Sequence, residues 1–207
     1  MKALLSTAYW PNLHQFYYFL NSEEVLIESH DHYQKQSFRN RTVILSANGP
    51  LNLSIPMRHS TDPSEMLISY TGGWQRVHWG AITSAYQNSP YFEFFSDAIQ
   101  HFYDGEGYLS LREYNKAQLK CIYEILKLNV NFKETESYSK HPEPLLDLRE
   151  IIHPKKNHAT DERVVNKLGT PYYQTFSAKF PFTENLSILD LLFNEGPNSI
   201  CVLQESK

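Results

Sequence analysis

No run of uncharged apolar residues in this chain of 207 residues approaches the roughly 20 that a membrane-spanning helix needs, so membrane insertion is not expected. The opening stretch MKALLSTAYWPNLHQ carries one lysine, and its apolar run is cut short at Pro11, so it lacks the apolar centre of a signal peptide. Cysteine is almost absent. Cys121 and Cys201 stand far apart beside apolar neighbours and form no metal-spaced pair, which argues against a disulfide framework and fits a reducing, cytoplasmic setting. A chain of this length buries enough core to need no such staple. Also missing are a Walker-type phosphate loop, G-x-G-x-x-G, a G-x-S-x-G elbow and H-E-x-x-H, which argues against ordinary ATPases, lipases and zinc proteases. No internal repeat or low-complexity tract divides the chain, and a single domain over residues 1–207 is expected.

Negative charge is missing locally. From His32 through Thr61 there is no Asp or Glu, while Lys35, Arg39, Arg41 and Arg58 are cationic and His32 and His59 are able to join them. The whole chain has a net charge of -4, which argues against a dedicated nucleic-acid binder. One region of a mildly acidic protein has been kept positive.

What is present reads as an α/β fold, Rossmann-like or with a mixed sheet, carrying a β-hairpin and a helical second half. KALLSTAY suits a buried first strand, NLHQFYYFL a helix capped by Asn12, and EEVLIES a second strand, together a minimal βαβ unit. Such a unit places ligands beyond the carboxyl ends of its strands, where HDHYQKQSFRNR begins. RTVILSANGPLNLSIPM predicts a hairpin turning at Asn48-Gly49, and EMLISYTGG a further strand. Helices are expected over Gly73 to Gln87, Tyr91 to Tyr103 and Leu111 to Leu128. Residues 129–170 are polar, with LLDLREIIHPKK as their apolar island, and read as a mobile lid or a surface excursion. PYYQTFSAKFPF reads as extended, and the chain closes with a short helix, a Gly-Pro break and a last strand.

Several residues are candidates for chemistry. If residues 30–41 are extended, Arg39 and Arg41 point to one side as an anion clamp, with Lys35 nearby, while Asn40 needs a loop to join them. His30 and His32, at i and i+2, suit general acid/base work because an unperturbed imidazole titrates near neutral pH. A metal would need a further ligand at a recognisable spacing, so no metal is assigned and no cofactor is named. In GGWQRVHWG, Trp74 and His78 share a helical face behind two glycines; Trp74 or Trp79 could stack on a ring, or the set could be aromatic core. His14 lies in the first turn of the first helix, as in HIGH-type nucleotidyltransferases, although Tyr17 stands where their second histidine belongs. Glu195 is either a base in FNEGPNS or part of a helix-closing turn.

STAYWPNLHQFYYFL, YQKQSFRNRTVILSANGPLNLSIPM, WQRVHWGAITSAYQNSPYFEFF and NLSILDLLFNEGP, in order from Leu4 to Pro197, resemble the WbqC-like family. The spaced combination of Asn40-Arg41, Asn48-Gly49, Leu53 to Pro56, His78-Trp79 and Ser89-Pro90-Tyr91-Phe92 makes the resemblance specific. The family often opens with Gln-Pro-x-Tyr-x-Pro; this chain keeps Tyr9 and Pro11 but has Ser6-Thr7, so a role for that glutamine does not carry over. The resemblance implies bacterial surface-polysaccharide biosynthesis of O-antigen type, with transfer of an acyl or aminoacyl group to a nucleotide-linked amino sugar. Its implied partners are small molecules, a nucleotide sugar or an acyl donor. On that expectation Lys35, Arg39 and Arg41 hold a diphosphate, His30, His32 or His78 deprotonates the amine, and Trp74 or Trp79 stacks on a ring. The alternatives are a nucleotidyltransferase or ligase-like enzyme built around His14, and a non-catalytic module binding nucleic acid or polysaccharide.

Overall fold

Four short parallel strands form the sheet on which the molecule is organised. The computed structural model describes every residue except 33, 59, 61, 63, 64, 130, 131, 157–161 and 205–207, so His59 of the cationic set lies outside the described residues. The expected βαβ unit is present: β1 (Lys2–Ser6), α1 (Leu13–Asn21) and β2 (Glu24–Glu28), with β1 and β2 paired in parallel from Lys2↔Glu24 to Ser6↔Glu28. Ala3, Leu5, Val25 and Ile27 alternate onto the face packed against the helices and join the main core, whereas Leu4 and Leu26 point to the opposite face.

The hairpin, β3 (Arg41–Ser46) and β4 (Gly49–Ser54), pairs Ser46 with Gly49, so its central turn residues are Ala47 and Asn48. Only Gly49 has a positive φ, at 100°, which makes this a turn followed by a glycine bulge rather than the Asn-Gly turn expected. The further strand expected in EMLISYTGG is replaced by isolated bridges at Leu67 and Ile68. α2 (Trp74–Tyr86), α3 (Phe92–Gln100) with a 3-10 turn over His101–Tyr103, and α4 (Leu111–Ile125) follow as expected, with Gly73 and Gln87 capping α2.

The polar excursion contributes two strands. β5 (Phe132–Glu134) pairs with β2 and β6 (Leu146–Asp147) with β1, both in parallel, giving the order β5-β2-β1-β6. Strands of three and two residues are too short to show an alternation in sequence; their pairing partners create them. β5 and β6 lie on opposite sides of the β2-β1 pair, so the strand order reverses at β1 and β6, which is where open parallel sheets leave a crevice.

After α5 (Glu162–Leu168), PYYQTFSAKFPF forms turns rather than an extended strand. α6 (Ile188–Glu195) ends at Gly196, where φ is 56° and a Cβ would stand 2.5 Å from the Tyr91 ring, so only glycine fits. The last strand expected is instead a helix, α7 (Ser199–Leu203): a run of four apolar residues behind Ser199 does not distinguish the two by pattern.

Candidate functional site

The carboxyl ends of β2 and β6 are joined by a buried ion pair. Glu28, 1% exposed, meets Arg149 Nη1 with Oε2 at 2.7 Å and accepts from the His30 N–H and Thr135 Oγ1, both at 2.8 Å, with Oε1. Arg149 also donates from Nε and Nη2 to the two oxygens of Asp147 at 2.9 and 2.7 Å and to the Ser139 carbonyl at 2.8 Å, with the Tyr138 ring 5.0 Å away. Burial pushes the Asp147 carboxyl up, but hydrogen bonds and charge from Arg149 outweigh it and hold the group below its ordinary range. Hydrogen bonds from Arg149 to Asp147, and then to Glu28, raise the guanidinium further.

A second pair lies beside the end of β1. Arg39 grips Asp31 through Nε, at 2.9 Å, and Nη2, and reaches Ser6 Oγ at 2.8 Å and Gln34 Oε1 at 3.3 Å. Arg112 bonds the Asp31 carbonyl and lies 3.5 Å from its carboxylate. Above the two pairs opens a cleft of about 440 Å³. Asp31, Arg39, Asp147 and Arg149 line it together with His32 and Gln34, and residues 138–150 add Tyr138, Lys140, His141 and Glu150. Both guanidiniums are already matched by carboxylates, which leaves His32, Tyr138, Lys140 and His141 among the described lining groups able to meet a ligand. Beyond them the exposed Lys155 and Lys156, the latter donating from Nζ to the carbonyl of the lining residue Glu150 at 2.6 Å, form a cationic rim. His153 is held below its ordinary value by burial first, with Glu150 raising it and Lys156, Lys155 and Arg39 lowering it further.

Residues 35–40 form turns rather than a strand, and Arg41 already opens β3, which separates the expected clamp. Arg39 is buried against Asp31, whereas Arg41, at the start of β3, donates to Ser54 Oγ at 3.3 Å. Asn40 ties the hairpin together through Nδ2 to the Ile55 carbonyl at 2.9 Å, and Lys35 is exposed in the turn. His32 lines the cleft. His30 Nε2 lies 2.9 Å from the Thr135 carbonyl, which only accepts, so Nε2 is the donor.

His78 and Trp74 lie in the aromatic core, each 5% exposed, and the half-buried Trp79 stacks between Phe92 and Tyr103. Buried tyrosine and tryptophan need partners for their polar tips, and here a chain supplies them. The Trp10 indole donates to the Tyr103 hydroxyl at 2.8 Å, which lies 2.8 Å from the Tyr9 hydroxyl, itself 2.9 Å from His78 Nδ1. Burial pushes His78 down to about 4. A neutral ring can accept at Nδ1 from Tyr9. Tyr9→Phe removes the donor to His78 Nδ1 and leaves the Tyr103 hydroxyl with the Trp10 indole alone, and should cost about 1–3 kcal/mol in chemical denaturation, with little effect on ligand binding in the cleft.

His14 is 3% exposed beside Tyr18. The first-turn amides of α1 are already bonded: Leu13 N–H to the Leu186 carbonyl (2.9 Å), His14 N–H to Asn185 Oδ1 (2.8 Å), and Gln15 and Phe16 N–H to Asn12 Oδ1 and its carbonyl (both 3.0 Å). That leaves no amide cradle for a phosphate. Glu195 accepts from Tyr173 N–H and Asn198 Nδ2 at the end of α6. Asp147, Arg149, Tyr138, Lys140, His141 and Glu150 were missed. The alternation Leu146-Asp147-Leu148-Arg149 was the available signal, since it places acid and base on one side of a strand.

A family model, the WbqC-like protein family, matches residues 7–160, most of the chain and every lining residue of the cleft. The chain belongs to the WbqC-like protein family. This WbqC-like chain is also similar to an uncharacterized protein, Rv1507c, of Mycobacterium tuberculosis, with 26% identity over 199 residues and coverage of 84% of each chain. No solved structure matches it significantly. Among its described residues no helix is long and apolar enough to cross a membrane.

Proposed function

We propose that this WbqC-like protein is an enzyme of bacterial surface-polysaccharide biosynthesis that transfers an acyl or aminoacyl group to the amine of a nucleotide-linked amino sugar. The observation that carries this reading is the cleft over the ends of β1, β2 and β6, with its fixed ion-pair walls, cationic rim and two histidines. The rim residues Lys140, Lys155 and Lys156 would attract the diphosphate. His32 or His141 would take the amine proton.

In the reaction the amine nitrogen attacks the acyl carbonyl carbon of an activated donor such as a thioester. The N–C bond forms, the bond from that carbon to the leaving sulfur breaks, and the proton passes through the histidine to the leaving group. Among the described residues no Ser, Thr or Cys lines the cleft, which favours direct attack over a covalent protein intermediate. Incubation with a UDP-linked amino sugar and an acyl thioester should yield the N-acylated sugar by mass spectrometry. The His32→Ala/His141→Ala double variant should lose about 10²-fold in turnover. No product with thioester or aminoacyl donors, or unchanged turnover in the double variant, would count against the proposal.

The nucleotidyltransferase reading is weakened by the fully bonded start of α1 and the burial of His14. The nucleic-acid module is weakened by the net charge of -4 and by the matched guanidiniums of the cleft.

A further inference from the structure

Residues 135–145 cross from β5 to β6 over the sheet face that carries Leu4 and Leu26, the face opposite the helical core. Between this strap and the sheet lies a second cavity of about 440 Å³. Leu4, Leu26 and Leu145 give it an apolar floor. Its charged lining consists of Glu28, Glu134, Glu136 and Glu143 against Lys133, with His141 beside them.

Most of these charges are already engaged. Glu28 is held by Arg149, Glu134 accepts from Lys116 Nζ with both oxygens at 3.0 Å, and Lys133 donates to Glu24 at 2.7 Å. Glu136 and Glu143 are exposed and make no ion pair among the described residues. Two unmatched negative charges over a hydrocarbon floor select a cation with an apolar body. Among the described residues no group of three His, Cys, Asp or Glu side chains could hold a metal ion, and the apolar floor favours an organic cation. The first cleft has the opposite balance, with Asp31 and Asp147 matched by arginines and a cationic rim.

The two cavities meet at one wall. Glu28 faces the second and Arg149 the first, with 2.7 Å between their bonded atoms, and His141 lines both. We infer that the cavity under the strap binds an organic ammonium carried on a short apolar chain, the chemistry of an α-aminoacyl group, and that His141 marks its junction with the sugar-nucleotide cleft. The role in transfer rests on the function proposed above; the binding rests on this cavity alone.

Calorimetric titration with L-leucinamide, a cation with an apolar chain and no carboxylate, tests the inference against its neutral analogue 4-methylpentanamide. Leucinamide should bind at least tenfold more tightly than the analogue. In Glu136→Gln/Glu143→Gln its affinity should fall about fivefold, the difference shrinking with added salt, as expected for exposed charges. Affinity for a UDP-linked amino sugar should stay unchanged in that variant. Leu26→Phe, which fills the floor, should abolish leucinamide binding while the fold, followed by its melting temperature, persists. No binding of leucinamide at millimolar concentration, equal binding of the neutral analogue, or indifference to both variants would overturn the inference. Should the sugar nucleotide fail to bind while leucinamide binds and is lost in the variants, the transferase reading falls and this cavity assignment stands.

Discussion

Arg149→Met is expected to destabilise the fold by about 3–5 kcal/mol, because it leaves Glu28, 1% exposed, as a buried charge without its partner. For a chain of this size that corresponds to a melting temperature lower by roughly 10 °C. The same change releases Asp147 and the Ser139 carbonyl, so the wall between the two cavities loosens and ligand binding should weaken with it. Adding Glu28→Gln should recover a large part of the loss. A glutamine keeps an oxygen for the His30 N–H and Thr135 Oγ1 while carrying no charge to strand. Thermal and urea unfolding of the single and double variants measures the coupling directly. A single variant that melts within 2–3 °C of the parent, on the order of 1 kcal/mol, would show that the pair is solvated rather than buried.

Asp190→Asn should change how stability depends on pH. Asp190 is fully buried on α6, accepts from the Tyr86 hydroxyl at 2.9 Å, the Tyr172 hydroxyl at 2.6 Å and Gln174 Nε2 at 3.3 Å, and has no cation among these partners. Burial raises its carboxyl to about 6, against the downward pull of those donors. Its folded value lies above its unfolded value near 3.8, so the folded state binds the proton more tightly. This contribution is fully present below pH 3.8 and is lost as pH rises through 6. A shift of about two units corresponds to about 3 kcal/mol.

His78 works the other way. Its folded value near 4 lies below the ordinary 6.5, so its contribution is present above 6.5 and lost as pH falls towards 4. The two windows overlap, so these two contributions oppose each other between pH 4 and 7 in the parent protein. In Asp190→Asn the His78 contribution is no longer opposed by Asp190. Relative to the parent, the variant should gain about 3 kcal/mol of stability between pH 4 and pH 7.5, measured by urea denaturation across that range. A difference that stays constant with pH would mean that Asp190 is ionised throughout.

Legibility in the sequence followed the reach of each signal. The βαβ unit, the caps of α2 and the apolar side of α4 are written in local patterns several residues long, and each formed where those patterns end. The hairpin was legible to within a residue, since the turn was expected at Asn48-Gly49 with both at positive φ, whereas Gly49 alone takes it. β5 and β6 were not legible because their hydrogen-bond partners lie more than a hundred residues earlier in the chain. The cleft was half legible. The strand end after β2 was located, and His32 stands in the cleft, but charge alone did not reveal that Arg39 is consumed by Asp31, eight residues before it. Arg149 was hidden because its significance lies in Glu28, on a different strand. Trp74 and His78 carry the same residue types as a ligand-stacking site, and only burial separates core from surface there.

The most direct measurement is calorimetric titration of a UDP-linked amino sugar into the parent protein and into Lys140→Glu, which reverses an exposed charge on the lining of the cleft. Saturable binding that weakens at least tenfold in Lys140→Glu, while Arg41→Ala on the hairpin binds as the parent does, is the expected result. An absence of binding, or equal affinity in the parent and Lys140→Glu, would contradict the assignment of the cleft.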